Sequence, residues 1–384
     1  MAAVFDETVL DDADLLERRD ATRLLWNLAT AGAQVRRAVD VVGEFGVDRL
    51  SGELPRALLV ATDAPPATAL RLIPGLSCEA TPALAWHGVE LPRWAGPSDA
   101  LLIGAVDGRH PRLAELAAQG ARRGLAMAVV APGGSPVADA AGRAPVYHLA
   151  PDLHPHASRW AVLTPLLQAL DALGLYSVPP GLLTRIADAL DDTAEACRPS
   201  GELFTNPAKA LAAEFAETRP LLVGAGALAS VAAGAGADAL QLSAGVPAVA
   251  VSLPDGAGRA GALLRGAAPA PSEEDLFRDR VEQAAPQRAR LLVIGDDGSA
   301  EDPSLGDRSG AQIQLDEIAA RRAAATLRQL ADELGVRASS VDVPDGPPLA
   351  RFAAAAAFGE FTAAYLAIGL GLDPGAPRPA EMGH

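Results

Sequence analysis

Lysine is almost missing from this chain: of its 32 basic residues only Lys209 is a lysine, so a lysine-based mechanism has one candidate. Cysteine is as scarce. Cys78 and Cys197 stand far apart and match no metal-ligand spacing, so they read as buried thiols in a reducing cytoplasm. Positive charge is short overall, 32 basic against 48 acidic residues for a net −16, which argues against nucleic acid and anionic membranes as partners. The N-terminus, MAAVFDETVLDDADLLERRD, is acidic where a signal peptide has a basic flank and an apolar core. The one long apolar run, Phe352–Leu372, is built mainly of Ala and Gly and is interrupted by Glu360 and Thr362. That composition predicts a core helix and no membrane span. Of six histidines only His154 and His156 are close, flanking Pro155 with no third ligand nearby, so no metal is expected, and no other cofactor.

What is present is a chain of 384 residues, 49% of them hydrophobic, enough for about two globular domains. Leu10, Leu15, Leu16, Leu24, Leu25, Leu28 and Val35 recur at three- and four-residue steps, predicting a helical lead-in over 1–50. Short apolar runs at Arg56–Ala61, Ala100–Ala105, Ala126–Val130 and Val146–Leu149 then read as strands, with helices over 112–123 and 160–173. The helix after the first strand is expected to end near Leu72, before a loop with Pro74 and Gly75. SVPP at 177–180 breaks the periodicity and sets the boundary between a first domain, 51–178, and a second, 179–384. Strands are expected at 219–223, 248–251, 289–294 and 340–343, with an amphipathic helix at 318–334 and an acidic, glycine-rich loop at 296–316. Alternating strands and helices of these lengths imply α/β architecture: two tandem open parallel sheets covered by helices, with a C-terminal apolar helix.

The chain is organised around Arg219–Ser230, RPLLVGAGALAS, where an apolar run meets Gly224-Ala225-Gly226 and an Ala-rich segment follows. Strand, tight turn and helix in that order place backbone N–H groups at a helix N-terminus, where an anion can bind. The same glycines would equally serve close packing of helix on strand.

Six stretches in order resemble the bifunctional phosphoglucose/phosphomannose isomerases, built from two sugar isomerase (SIS) domains of flavodoxin-like type. They are Glu90–Asp99 (ELPRWAGPSD), Ala131–Pro136, Asn206–Lys209, Val223–Leu228, Pro348–Arg351 and Tyr365–Pro374. The resemblance implies a hexose 6-phosphate ligand and aldose–ketose isomerisation of glucose or mannose 6-phosphate. The apolar helix Phe352–Leu372 and the Ala-rich surface exceed what one monomer readily covers, which predicts a homodimer or pairing with a related SIS protein.

The departures fall on the chemistry. The family's Gly/Ser-rich loop after the first strand reads Thr62-Asp63-Ala64-Pro65-Pro66 here, and its Ser/Thr-rich phosphate turn reads Val106-Asp107-Gly108-Arg109-His110. Arg109 can pair with a phosphate, at the start of a helix opened by Pro111, whereas Asp107 would repel it. The family's catalytic glutamate falls on Gln241, its ring-handling histidine near Gly258, and its C-terminal lysine finds no counterpart before His384. Proton transfer between C1 and C2 needs a titratable base, which glutamine and glycine lack. Asp238 and Asp255 lie close by in sequence and are the candidate displaced bases, or else ordinary surface aspartates. Three functions stay open: a sugar-phosphate-binding protein with a degenerate site, an active isomerase with a rearranged one, and a structural SIS partner. The expected binding residues are Thr62, Asp107, Gly108, Arg109, His110, Gly224, Ala225 and Gly226.

Overall fold

The computed structural model describes residues 4–52, 54–63, 68–76, 80–267, 288–295, 310–341 and 345–376. Nine strands form two parallel sheets among these residues. The first contains β1 (Leu58–Thr62), β2 (Ala83–Ala85), β3 (Ala100–Gly104), β4 (Ala126–Pro132) and β5 (Val146–Leu149), in the order β2-β1-β3-β4-β5. The second contains β6 (Thr218–Ala225), β7 (Val249–Leu253), β8 (Arg288–Gly295) and β9 (Ala338–Ser340), in the order β7-β6-β8-β9. Both therefore reverse strand order beside their first strand, and in such sheets ligands bind outside the carboxyl ends of the strands at that reversal.

Alternation along each strand explains the layers. Leu58 and Val60 face a core shared by both sheets, whereas Leu59 and Ala61 face an outer helical layer. In the second sheet Leu292 and Ile294 join the shared core, while Leu291 and Val293 face their own outer layer. The middle of the molecule is filled by the helix Pro348–Gly369, which packs on the helices Leu182–Ala196, Pro207–Phe215 and Ala227–Ala239. Its many alanines and glycines have a use. A Cβ placed on Gly359 would sit 3.1 Å from the Gly236 Cα, so the two helices cross almost backbone to backbone, closer than larger residues allow.

Several expectations change. Pro74 lies inside the helix Thr68–Leu76, near its end, where a missing N–H costs one bond. Edge strand β2 is not among the expected strands: Ala83–Ala85 is three residues long, with both Leu84 and Ala85 exposed, so its apolar signal is weak. The last strand is Ala338–Ser340, earlier than 340–343. The apolar C-terminal helix is covered by its own chain, 89% buried over its most apolar window, so it offers no face for association. Cys78, Ala64–Pro66 and most of the 296–316 stretch lie outside the described residues. Cys197 is buried, with its thiol pushed up to about 12 by desolvation.

The single lysine is structural in its contacts. Lys209 is 1% exposed. Its Nζ donates to the carbonyls of Leu10 (2.5 Å), Gly201 (2.6 Å) and Pro199 (2.8 Å), clamping the lead-in onto the second half.

Candidate functional site

At the carboxyl ends of β1 and β3 the chain fills the sheet reversal with its own groups. Asp63 donates its N–H to the Gly104 carbonyl (3.2 Å), and its Oδ1 accepts from the Val106 N–H (2.8 Å). Burial, reinforced by the neighbouring charge of Asp107, raises the Asp63 carboxyl above the ordinary aspartate range. Arg112, one residue into the following helix, reaches back to the Trp86 and Thr62 carbonyls, 3.1 Å each. The first reversal is thus tied shut across β1 and β2 by a guanidinium, and lined by two carboxylates.

The expected phosphate turn follows. Asp107 Oδ1 accepts from the Arg109 N–H (2.8 Å), and His110 caps the helix Pro111–Arg123 by accepting on Nδ1 from the Arg112 N–H (3.3 Å). Gly108, at φ +67°, lets the turn reverse against Ser135. Asp107 and Arg109 are exposed. Two N–H groups that an anion would use are therefore occupied by the chain's own acceptors. His110 Nδ1 thus acts as an acceptor here.

In the second sheet, Gly224 is required by packing: a Cβ there would lie 2.3 Å from the Ser230 N and Cα. Ala225 is buried, and Gly226 caps the helix Ala227–Ala239 at φ +105°, ψ 172°, a conformation essentially confined to glycine. The Ser230 hydroxyl donates to the Gly226 carbonyl at 2.7 Å, pinning the turn. Residues 296–309, after β8, lie outside the described residues.

The positions of the family's base are dispersed. Gln241 is exposed on a π-helical extension, Leu240–Ala244, and its Nε2 donates to the Ala248 carbonyl (3.0 Å). Asp238 is held by Arg71, at 2.7 and 3.3 Å. Asp255 is exposed, and Gly258 has open space where a side chain would stand. His154 accepts on Nδ1 from the His156 N–H (3.1 Å), so the close histidine pair begins as a cap.

Sequence reasoning missed the charges between the halves. Arg159, 3% exposed, pairs through Nη2 with Glu360 Oε1 at 3.1 Å. Desolvation lowers the arginine and raises the glutamate, each opposed by the partner's charge, and Asp238 and Arg71 also act on Arg159. Both cations come from helices associated with the first sheet and both anions from helices associated with the second. A lone charge in an apolar helix was the available signal, at Glu360 and at Arg159, which opens RWAVLTPLLQAL.

The fold is that of a tandem SIS-type α/β protein, with two parallel sheets covered by helices. Residues 204–380 match the family described as bacterial phospho-glucose isomerase C-terminal SIS domain. No curated protein matches it. Among solved structures it is similar to a hypothetical protein of Thermus thermophilus, at 14% identity and a TM-score of 0.67, covering 98% of this chain and 93% of that one. A glucose-6-phosphate isomerase like protein from the same organism is 18% identical, with a TM-score of 0.52 over 95% and 94% of the two chains. Tagatose-6-phosphate ketose/aldose isomerase from Escherichia coli is 11% identical, with a TM-score of 0.50 over 95% of each. At these identities the structural likeness is one of fold.

Proposed function

We propose that this chain binds a hexose 6-phosphate and has little or no aldose–ketose isomerase activity. The observation that carries this reading is the Gln241 amide, spent on the Ala248 carbonyl where the family resemblance puts a carboxylate. Losing a general base costs about 10²–10⁴-fold in rate. The nearby carboxylates do not make good the loss: Asp238 is paired with Arg71, and Asp255 stands exposed on a turn. In this reading Arg109 supplies the principal phosphate contact, with Thr62, Asp107, Gly108 and His110 shaping that turn and Gly224, Ala225 and Gly226 shaping the second. A coupled assay with glucose or mannose 6-phosphate tests it. Turnover below about 1 s⁻¹, an ordinary enzyme's lower range, is expected together with thermal stabilisation by the same compounds. Faster turnover refutes it.

The protein acts in the cytoplasm in this reading, as a homodimer or paired with a related SIS protein. With the C-terminal helix internal, the support for association is the edge of the first sheet, where Leu84, Val89 and Trp94 are all exposed. Light scattering at tens of micromolar decides the homodimer.

A further inference from the structure

A cavity of about 10 Å³ lies where three parts of the chain meet. Glu360 comes from the central helix Pro348–Gly369, Ser243 from the π-helical extension Leu240–Ala244, and His156 from the turn Pro155–Ala157 ahead of the helix Arg159–Ala172. Leu24 and Leu28 of the lead-in add apolar walls. The size meets the roughly 10–15 Å³ that one water molecule needs and leaves no room for an organic ligand.

Cavities of this size stay dry when their walls are wholly apolar. This one has three polar side chains, all buried: Ser243 is 5% exposed, Glu360 7% and His156 9%. Hydrogen bonding at its edge is incomplete as well. Glu360 Oε1 is buried and accepts no hydrogen bond among the described residues. Arg159 Nη2 stands 3.1 Å from it without a hydrogen bond's alignment, and none of the three guanidinium nitrogens donates to an acceptor among the described residues. The ion pair therefore balances charge and leaves the lone pairs and protons unused. A buried pair offsets its desolvation only when those are bonded too, and most buried polar atoms do find a partner in protein or in ordered water.

The lining selects the ligand. A cation would suit Glu360 and be repelled by Arg159, and an anion the reverse. Water carries no charge, donates to a carboxylate, and can exchange bonds with a hydroxyl and an imidazole, each of which both donates and accepts. We propose that this cavity binds one internal water molecule, which bridges the Glu360 carboxylate to Ser243 and His156. Such a bridge is nearly as favourable as a direct hydrogen bond. It joins the first half of the molecule, through His156, to the segment of the second half that carries Gln241.

A high-resolution crystal structure of the full chain tests the site, with magnetic relaxation dispersion of the solvent as the measurement in solution. Density for one ordered water is expected within hydrogen-bonding distance of the Glu360 carboxylate and of the Ser243 hydroxyl or the His156 ring. A slowly exchanging water should appear in the dispersion profile. Arg159→Met with Glu360→Leu removes both charges together, and in that variant the water should be gone. A dry cavity in the parent, an ion there in place of water (recognised by anomalous scattering from crystals grown in bromide), or a water that persists in the double variant overturns the proposal. None of these readouts involves a sugar phosphate, so the site stands or falls independently of the proposed function.

Discussion

Arg159 and Glu360 meet 3.1 Å apart in the interior, one from a helix over the first sheet and one from the helix that fills the centre. Removing water from both charges is expensive, and their attraction repays it only partly. Arg159→Met alone should therefore cost about 3–5 kcal/mol, because it strands the carboxylate. Arg159→Met with Glu360→Leu should recover most of that loss, or exceed the parent. Urea unfolding of the three proteins measures the difference. Equal destabilisation in single and double variants would show that the pair is a net stabiliser.

Lys209 should behave as a clamp. Replacing it by Met leaves the carbonyls of Leu10, Pro199 and Gly201 without their common donor, a loss of at least about 2 kcal/mol. Hydrogen exchange should rise first in the helices Thr8–Asp11 and Ala13–Arg19, which the lysine ties down. Unchanged protection there would remove the clamp.

Asp20 predicts part of the pH dependence. It accepts from the Leu24 N–H (2.7 Å) and the Leu25 N–H (3.0 Å), and burial pushes its carboxyl from the ordinary 3.8 up to about 6, opposing those bonds. Between those two values the folded state holds a proton that the unfolded chain has released, so this group's contribution to stability falls as pH rises from about 4 to about 6. Asp20→Asn should flatten that part of the stability curve. An unaltered slope in thermal melts across the window would show that Asp20 titrates normally.

Gln241→Glu should not restore full isomerase activity, because Gly258 still offers no partner and the new carboxylate would lose the Ala248 carbonyl as a bonding partner. Gln241→Glu with Gly258→His is the stronger test. Open space at Gly258 accommodates the added ring. A rise in turnover in the double variant above that of Gln241→Glu would support the proposed correspondence of these positions. Full activity from Gln241→Glu alone would contradict it.

Arg109→Ala should weaken hexose 6-phosphate binding at the turn roughly ten- to a hundredfold, as expected for a charge-assisted contact. Asp107→Asn should leave affinity unchanged or improve it. The amide lacks the repelling charge and can still accept from the Arg109 N–H, which Asp107 now holds. A parent-like affinity in Arg109→Ala would place the sugar phosphate elsewhere.

The strand runs, the glycine turns and the apolar C-terminal helix were legible in the sequence because burial and backbone geometry act locally. LLVAT, ALLIG and PLLVGA each carry their own signal, and Glu360 was visible as a charge in the wrong company. The replacement of the family's base by Gln241 was legible in the same way, as a residue type. What no local pattern contains is partnership. Arg71 meets Asp238 across 167 residues, and Lys209 reaches Leu10 across 199. Tyr147 and Trp26 line one groove only because the lead-in packs beside β5. Whether a charge is a surface aspartate, a latch or a site depends on which distant segment removes water from it, and only the tertiary structure decides that.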